Sequence, residues 1–161
     1  MLKGATGGRK EAGGVIEVRV KLVGLDPRGE QRVVVLEEVD GDRYLSLPVG
    51  PAEAEAIAAW LEGERDPGRP LAHDLLHSVI QKFGGRLRRV VITELRHDAL
   101  YAELELEGPG GPESLPCRPS DGVALAIRAG APVLVTQQVA GQAMRRISRH
   151  PRPPDHPPAA G

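Results

Sequence analysis

Residues 87–107 read LRRVVITELRHDALYAELELE, and this stretch decides the class of fold. From Leu100 to Glu107 the alternation is strict. Leu100, Ala102, Leu104 and Leu106 point one way, while Tyr101, Glu103, Glu105 and Glu107 point the other. A period of two is a strand with one face on a core and the other toward water. Ahead of it lies a β-branched run, Val90-Val91-Ile92-Thr93, and His97-Asp98 separates the two strands. Arg86, Arg88, Arg89 and Arg96 cluster around the first strand, where pairing with Glu103 and Glu105 across the ladder is expected rather than capture of a polyanion.

Working toward the N-terminus, residues 15–23, 33–39 and 43–49 repeat the strand pattern. Asp40-Gly41 supplies residue types suited to a φ > 0 hairpin turn, and Pro48 should mark an edge or a strand end. Gly50-Pro51 starts a helix, because proline at the first helical position loses only a donor that would be free anyway. Ile57, Trp60 and Leu61 form its expected buried stripe, and Gly63 its stop. A second helix begins near His73, with Leu75, Leu76, Val79, Ile80 and Phe83 covering one face and Gly84-Gly85 ending it. Toward the C-terminus come a short strand at residues 115–118, a helix over 120–129 stopped by Gly130, and a strand at 132–136. Residues 137–149 suggest a short basic helix containing Met144 and Ile147. The expected fold is a single α+β domain over residues 15–140, a mixed, mostly antiparallel sheet with about three helices packed mainly on one face. Residues 1–14 and the basic, proline-rich residues 141–161 read as tails.

Composition narrows the function. Aromatic residues make up 2%, so the core must be aliphatic and a stacking platform for single-stranded bases is disfavoured. The lone Cys117 allows no intrachain disulfide, and no apolar run approaches the ~20 residues of a membrane span. A cytoplasmic location is the expectation. The net charge of −1 is unevenly spread: residues 15–139 carry 14 Lys+Arg against 20 Asp+Glu, a net of −6, and the two ends carry +5. An acidic body repels phosphate at long range. The glycine fingerprint of dinucleotide-binding folds and the phosphate loop of nucleotide hydrolases are both absent.

Three polar groups could carry chemistry. His73-Asp74-Leu75-Leu76-His77 has the histidine spacing of a zinc protease, but Asp74 is a methylene shorter than the glutamate that motif needs, and a third ligand is not evident. Its structural alternative is a helix start, with Asp74 complementing the dipole. Glu53 lies on the inward stripe of its helix, facing either a cleft or the backbone N–H of Gly50 as half of a cap. In Arg118-Pro119-Ser120-Asp121, Ser120 can cap a helix and Arg118 can pair with Asp121; the same residues could hold a phosphate or a divalent ion. Cys117 reads as a small apolar residue rather than a nucleophile.

The order of these motifs resembles the bifunctional nuclease family. The resemblance rests on Leu47-Pro48-Val49-Gly50 with Glu53-Ala54 and Ala56-Ile57, Arg69-Pro70 with His73-Asp74-Leu75, and Val90-Val91-Ile92-Thr93. It continues in Arg118-Pro119-Ser120-Asp121 with Ala124, Ala126 and Arg128 ahead of Gly130-Ala131-Pro132. It implies a dimeric α+β domain hydrolysing RNA and DNA. Ala72 stands where the family usually has a capping threonine, Gly122 where alanine is usual, and Pro48 where a strand residue is normal. For such a reaction Glu53, Asp74 and Asp121 are the candidate ligands of a divalent metal (Mg²⁺ or Mn²⁺), His73 the base or positioning group, and Arg118 the phosphate clamp. A non-catalytic dimeric module binding a small anion or a protein partner is the alternative. Both depend on residues distant in the chain meeting at one point.

Overall fold

A computed structural model describes residues 14–147. In chain order it contains β1 (Val15–Leu25), β2 (Arg32–Glu38), β3 (Arg43–Pro48), α1 (Pro51–Leu61), α2 (Ala72–Lys82), β4 (Arg86–Arg96), β5 (Ala99–Gly108), β6 (Gly111–Cys117), α3 (Pro119–Ala129), β7 (Val133–Thr136), α4 (Gln137–Ala143) and β8 (Arg145–Arg146). The strands form one sheet in the order β6-β5-β4-β7-β1-β2-β3-β8. All neighbours are antiparallel except β4 and β7, which run parallel with Val90 opposite Val133 and Ile92 opposite Val135. The expected mixed, mostly antiparallel α+β architecture is therefore present.

The alternation in β5 holds: Ala102 and Leu104 are buried while Tyr101 and Glu107 are exposed. The β4–β5 turn places His97 and Asp98 at φ 48° and 63°, the left-handed region that a two-residue hairpin demands. Arg89 pairs with Glu105 across the ladder as expected, Arg86 and Arg88 both pair with Glu107 rather than Glu103, and Arg96 pairs with Glu94 on its own strand. Glu103 instead accepts from Ser114, and Arg96 lies over the Tyr101 ring. The core is aliphatic, with Leu36, Leu45, Ile57, Val90, Ile92, Val123, Leu125 and Val135 sealed from solvent.

Several local expectations change. Gly41 is not in the left-handed region; its lack of a side chain makes room for the Glu38 carboxylate, which a Cβ would meet at 2.3 Å. β6 starts at Gly111, earlier than expected, because an edge strand tolerates Pro112 and Pro116. α3 starts at Pro119, which places Ser120 inside the first turn and removes it from the capping position. Leu71, not residue 72, is the N-cap of α2, so Ala72 does not stand at a capping position. α4 ends before Met144, and Arg145–Arg146 pairs with β3, carrying ordered backbone past residue 140. The N-terminal tail, apart from Gly14, and residues 148–161 lie outside the described residues. Among the described residues no helix is long and apolar enough to cross a membrane.

The apolar stripes also differ from expectation. Leu61 is exposed and Trp60 only half-buried. No residue of α2 is fully buried: Leu75, Leu76 and Val79 are largely open and Phe83 is 80% exposed.

The three longer helices are tied by one buried cation. The Arg128 side chain on α3 is 1% exposed, and each of its three guanidinium nitrogens donates a hydrogen bond. Nε donates to Asp74 Oδ1 on α2 at 2.6 Å, Nη2 to the Ala56 carbonyl on α1 at 2.9 Å, and Nη1 to the Ala124 carbonyl at 2.8 Å. The other Asp74 oxygen accepts the Leu71 N–H at 2.9 Å, capping α2.

Two stability predictions follow from this packing. A Cβ on Gly122 would lie 2.7 Å from Val90 Cγ1 and 3.2 Å from Cys117 Sγ. The overpacking cost of about 1–3 kcal/mol should outweigh the helix-propensity gain of about 1 kcal/mol, so Gly122→Ala is expected to lower stability in denaturant titration. Burial pushes the Asp74 carboxyl up, but the Arg128 hydrogen bond, the Leu71 N–H and the charge of Arg128 outweigh it and hold the group below its ordinary range. A depressed carboxyl pKa adds stability that is present above the unfolded value, about 3.9, and is lost as pH falls through the folded value. Asp74→Asn should cost about 3 kcal/mol near neutrality and flatten the acid limb of the stability curve, read by urea titrations from pH 7 to pH 3.

Candidate functional site

Three carboxylates occupy equivalent places in three helices. Glu53, Asp74 and Asp121 are each the third residue of α1, α2 and α3. At this position a side chain can turn back to the capping residue or outward past the positive end of the helix. Asp74 turns back, to the Leu71 N–H and Arg128. Glu53 and Asp121 turn outward and meet at Arg118, the N-cap of α3.

The contacts form a continuous chain. Arg118 Nη2 bonds Glu53 Oε1, Arg118 Nε donates to Asp121 Oδ2 at 2.8 Å, and Arg118 Nη2 reaches Asp121 Oδ1 at 3.3 Å. Asp121 Oδ1 also accepts from His73 Nε2 at 2.9 Å. Thus α1 contributes Glu53, α2 contributes His73, and α3 contributes Arg118 and Asp121. Glu53 and His73 are well covered, whereas the Arg118 side chain is 70% exposed. Glu53 makes no hydrogen bond to the Gly50 N–H; its Oε2 lies where a Cβ on Gly50 would approach to 2.6 Å, so only glycine leaves this carboxylate its place.

The electrostatics follow from these contacts. Burial raises the Asp121 carboxyl, but hydrogen bonds from Arg118 and His73 and the charge of Arg118 prevail, holding it ionised below the ordinary aspartate range. An ionised Asp121 makes His73 Nε2 the protonated nitrogen and leaves Nδ1 to accept a proton. Arg118 is held more firmly protonated, first by its hydrogen bond to Asp121 and then by the charges of Asp121 and Glu53. Behind His73 and Asp121 opens an otherwise apolar cavity of about 490 Å³, lined by Leu76, Leu104, Leu115 and Leu125 with Cys117 at its wall. Burial, reinforced by Asp121, pushes the Cys117 thiol up to about 11, so it is a neutral thiol at neutral pH.

Of the residues singled out from sequence, Glu53, His73, Arg118 and Asp121 are brought together, and Asp74 is drawn into the Arg128 pair beneath them. Arg128 went unnoticed as more than a motif position. Its signal was available: an arginine inside the apolar run from Val123 to Ala131 must find buried acceptors. Among the described residues no group of three or more His, Cys, Asp or Glu side chains is placed to hold a metal ion. Mg²⁺, however, is often held by only one or two carboxylates together with substrate phosphates. Glu53 and Asp121, which share the solvated Arg118, fit that need; Asp74, held by the buried Arg128 and the Leu71 N–H, does not.

Comparison with known proteins agrees with this architecture. The family model of the bifunctional nuclease domain matches residues 34–148, a span that takes in all four helices. An uncharacterized protein of Mycobacterium tuberculosis is 39% identical over 127 residues, covering 79% of this chain and 75% of its own length. Bifunctional nuclease 1 of Oryza sativa is 32% identical over 125 residues, covering 74% of this chain and 37% of the rice protein. Bifunctional nuclease 2 of Arabidopsis thaliana is 32% identical over 111 residues, covering 66% of this chain and 33% of the plant protein. This chain belongs to the bifunctional nuclease domain family.

Proposed function

We propose that this domain is a nuclease that hydrolyses phosphodiester bonds in both RNA and DNA at the Glu53–Arg118–Asp121–His73 chain. The observation that carries the reading is that side chains from three helix starts meet in one chain of contacts, two of them at the exposed Arg118 guanidinium and the third through Asp121. Helix N-termini and arginine both favour phosphate, a group that RNA and DNA share. Arg118 turns from its two carboxylates to clamp the substrate phosphate and neutralise charge as the bond breaks. His73 accepts a proton from the attacking water at Nδ1, and Asp121 fixes the tautomer that leaves Nδ1 free and stabilises the imidazolium. Water oxygen bonds to phosphorus, the ester oxygen leaves, and the proton held by His73 is available to it. Glu53 and Asp121 are the carboxylates that would hold Mg²⁺ or Mn²⁺ alongside a substrate phosphate, where the ion would supply a more acidic bound water. Asp74 acts from below, through the position of α2. The basic residues near both chain ends offset the repulsion between the acidic body and a polyanion. A cytoplasmic location is part of this proposal.

A second reading, a non-catalytic dimeric module that binds a small anion or a protein partner, is favoured by the open apolar face of α2, with Leu75, Val79 and Phe83 uncovered. The homodimer belongs to both readings, and we place it on this face.

Two experiments separate them. With labelled single- and double-stranded RNA and DNA in Mg²⁺ or Mn²⁺, Asp121→Asn is expected to lower kcat by about 10²–10⁴-fold, the usual worth of a base and its orienting group. Arg118→Ala should raise KM as well as lower kcat. Cleavage by Asp121→Asn as fast as by the parent chain would overturn the nuclease reading. In sedimentation velocity the parent chain should run as a dimer and Phe83→Glu as a monomer; an unchanged dimer would place the interface elsewhere.

A further inference from the structure

We infer that Arg128 is the positioning residue of the site, a buried brace that sets the distance between His73 and Asp121; the inference rests on the nuclease reading for its kinetic consequence only. Each of its bonds lands close to a residue of the site. On α1 it holds the Ala56 carbonyl, three residues from Glu53. On α2 it holds Asp74, the neighbour of His73. On α3 it holds the Ala124 carbonyl, three residues from Asp121. Three residues along a helix is under one turn, about 5 Å, so an error at the brace is delivered to the site almost undiminished.

The brace also fixes α2 to its surroundings through a buried ion pair. That helix buries no side chain completely, so ordinary core packing does little to set its height against α3. Asp74 joins the two functions: one oxygen caps α2 through the Leu71 N–H and the other receives Arg128. The Trp60 ring, 5.3 Å from the guanidinium, lies alongside, and Arg65 stacks on that ring at 3.7 Å. Among the described residues no buried side-chain nitrogen or oxygen lacks a partner, and each of the three Arg128 nitrogens finds its acceptor within this arrangement. A lysine keeps the charge but cannot reach three acceptors in the plane of a fork.

The test uses the full chain and the variants Arg128→Met, Arg128→Lys and Asp74→Asn, with circular dichroism to establish folding. Long-range ¹H–¹⁵N correlation spectra of the imidazoles above pH 7.5 read the His73 tautomer, with His77 as internal reference. The parent chain should show a single Nε2–H form at His73. All three variants should show tautomer averaging at His73 and none at His77, and kcat should fall by about 10²-fold with KM changed by less than about threefold, since Arg118 is intact. Should Arg128→Met not fold, the milder Asp74→Asn and Arg128→Lys decide the matter. Folded variants that keep the Nε2–H form of His73 and the parent kcat would overturn the inference. If the parent chain cleaves nothing while the variants still lose the fixed tautomer, the brace stands and the nuclease reading falls.

Discussion

A guanidinium removed from water is tolerated only when its nitrogens find acceptors, and the interior of this domain is organised around meeting that demand for Arg128. Two of the acceptors are main-chain carbonyls and one is a carboxylate. Carbonyls inside a helix are already committed to the ladder, so Arg128 takes their second lone pairs without breaking the helices. The helices consequently cannot be shifted independently: moving α1, α2 or α3 by an ångström strands a buried charge. An aliphatic core is less exacting, because Val, Leu and Ile side chains repack at modest cost.

The upper layer has the opposite character. Arg118 is solvated, so turning its guanidinium toward a phosphate costs that side chain little, although the covered Glu53 carboxylate then needs another cation. One arginine is locked and one is loose, only ten residues apart in the chain and on the same helix or its cap. That division suits a site which must hold its geometry yet release a cation to an incoming anion.

Much of this was legible in the sequence. Leu100 to Glu107 declared a half-buried strand, Gly50-Pro51 a helix start, and Gly130 a left-handed helix end, which the structure places at φ 63°. The site residues were legible too, since carboxylates just inside helix starts stand out from their surroundings. Their separation into a loose upper pair and a locked Asp74 was not, because it depends on which arginine approaches from another helix. The exposed side of α2 could not be read either: a stripe such as Leu75, Leu76, Val79 and Phe83 has the same period whether it meets this chain or another surface. Prolines concealed most of β6, and only the sheet order, which puts that strand at the rim, explains how they fit.

Pro112 and Pro116 have a consequence beyond the shape of that rim. An open sheet ending in a free strand offers a template on which another molecule can add its own strand. Residues 112, 114 and 116 direct their nitrogens to one side, and the ladder with β5 admits prolines only where that side faces away from it. Two of three successive donor positions along the outer rim are therefore blank. A would-be fibril finds too few hydrogen bonds there to grow, so the domain carries its own guard against amyloid-like stacking at this end of the sheet.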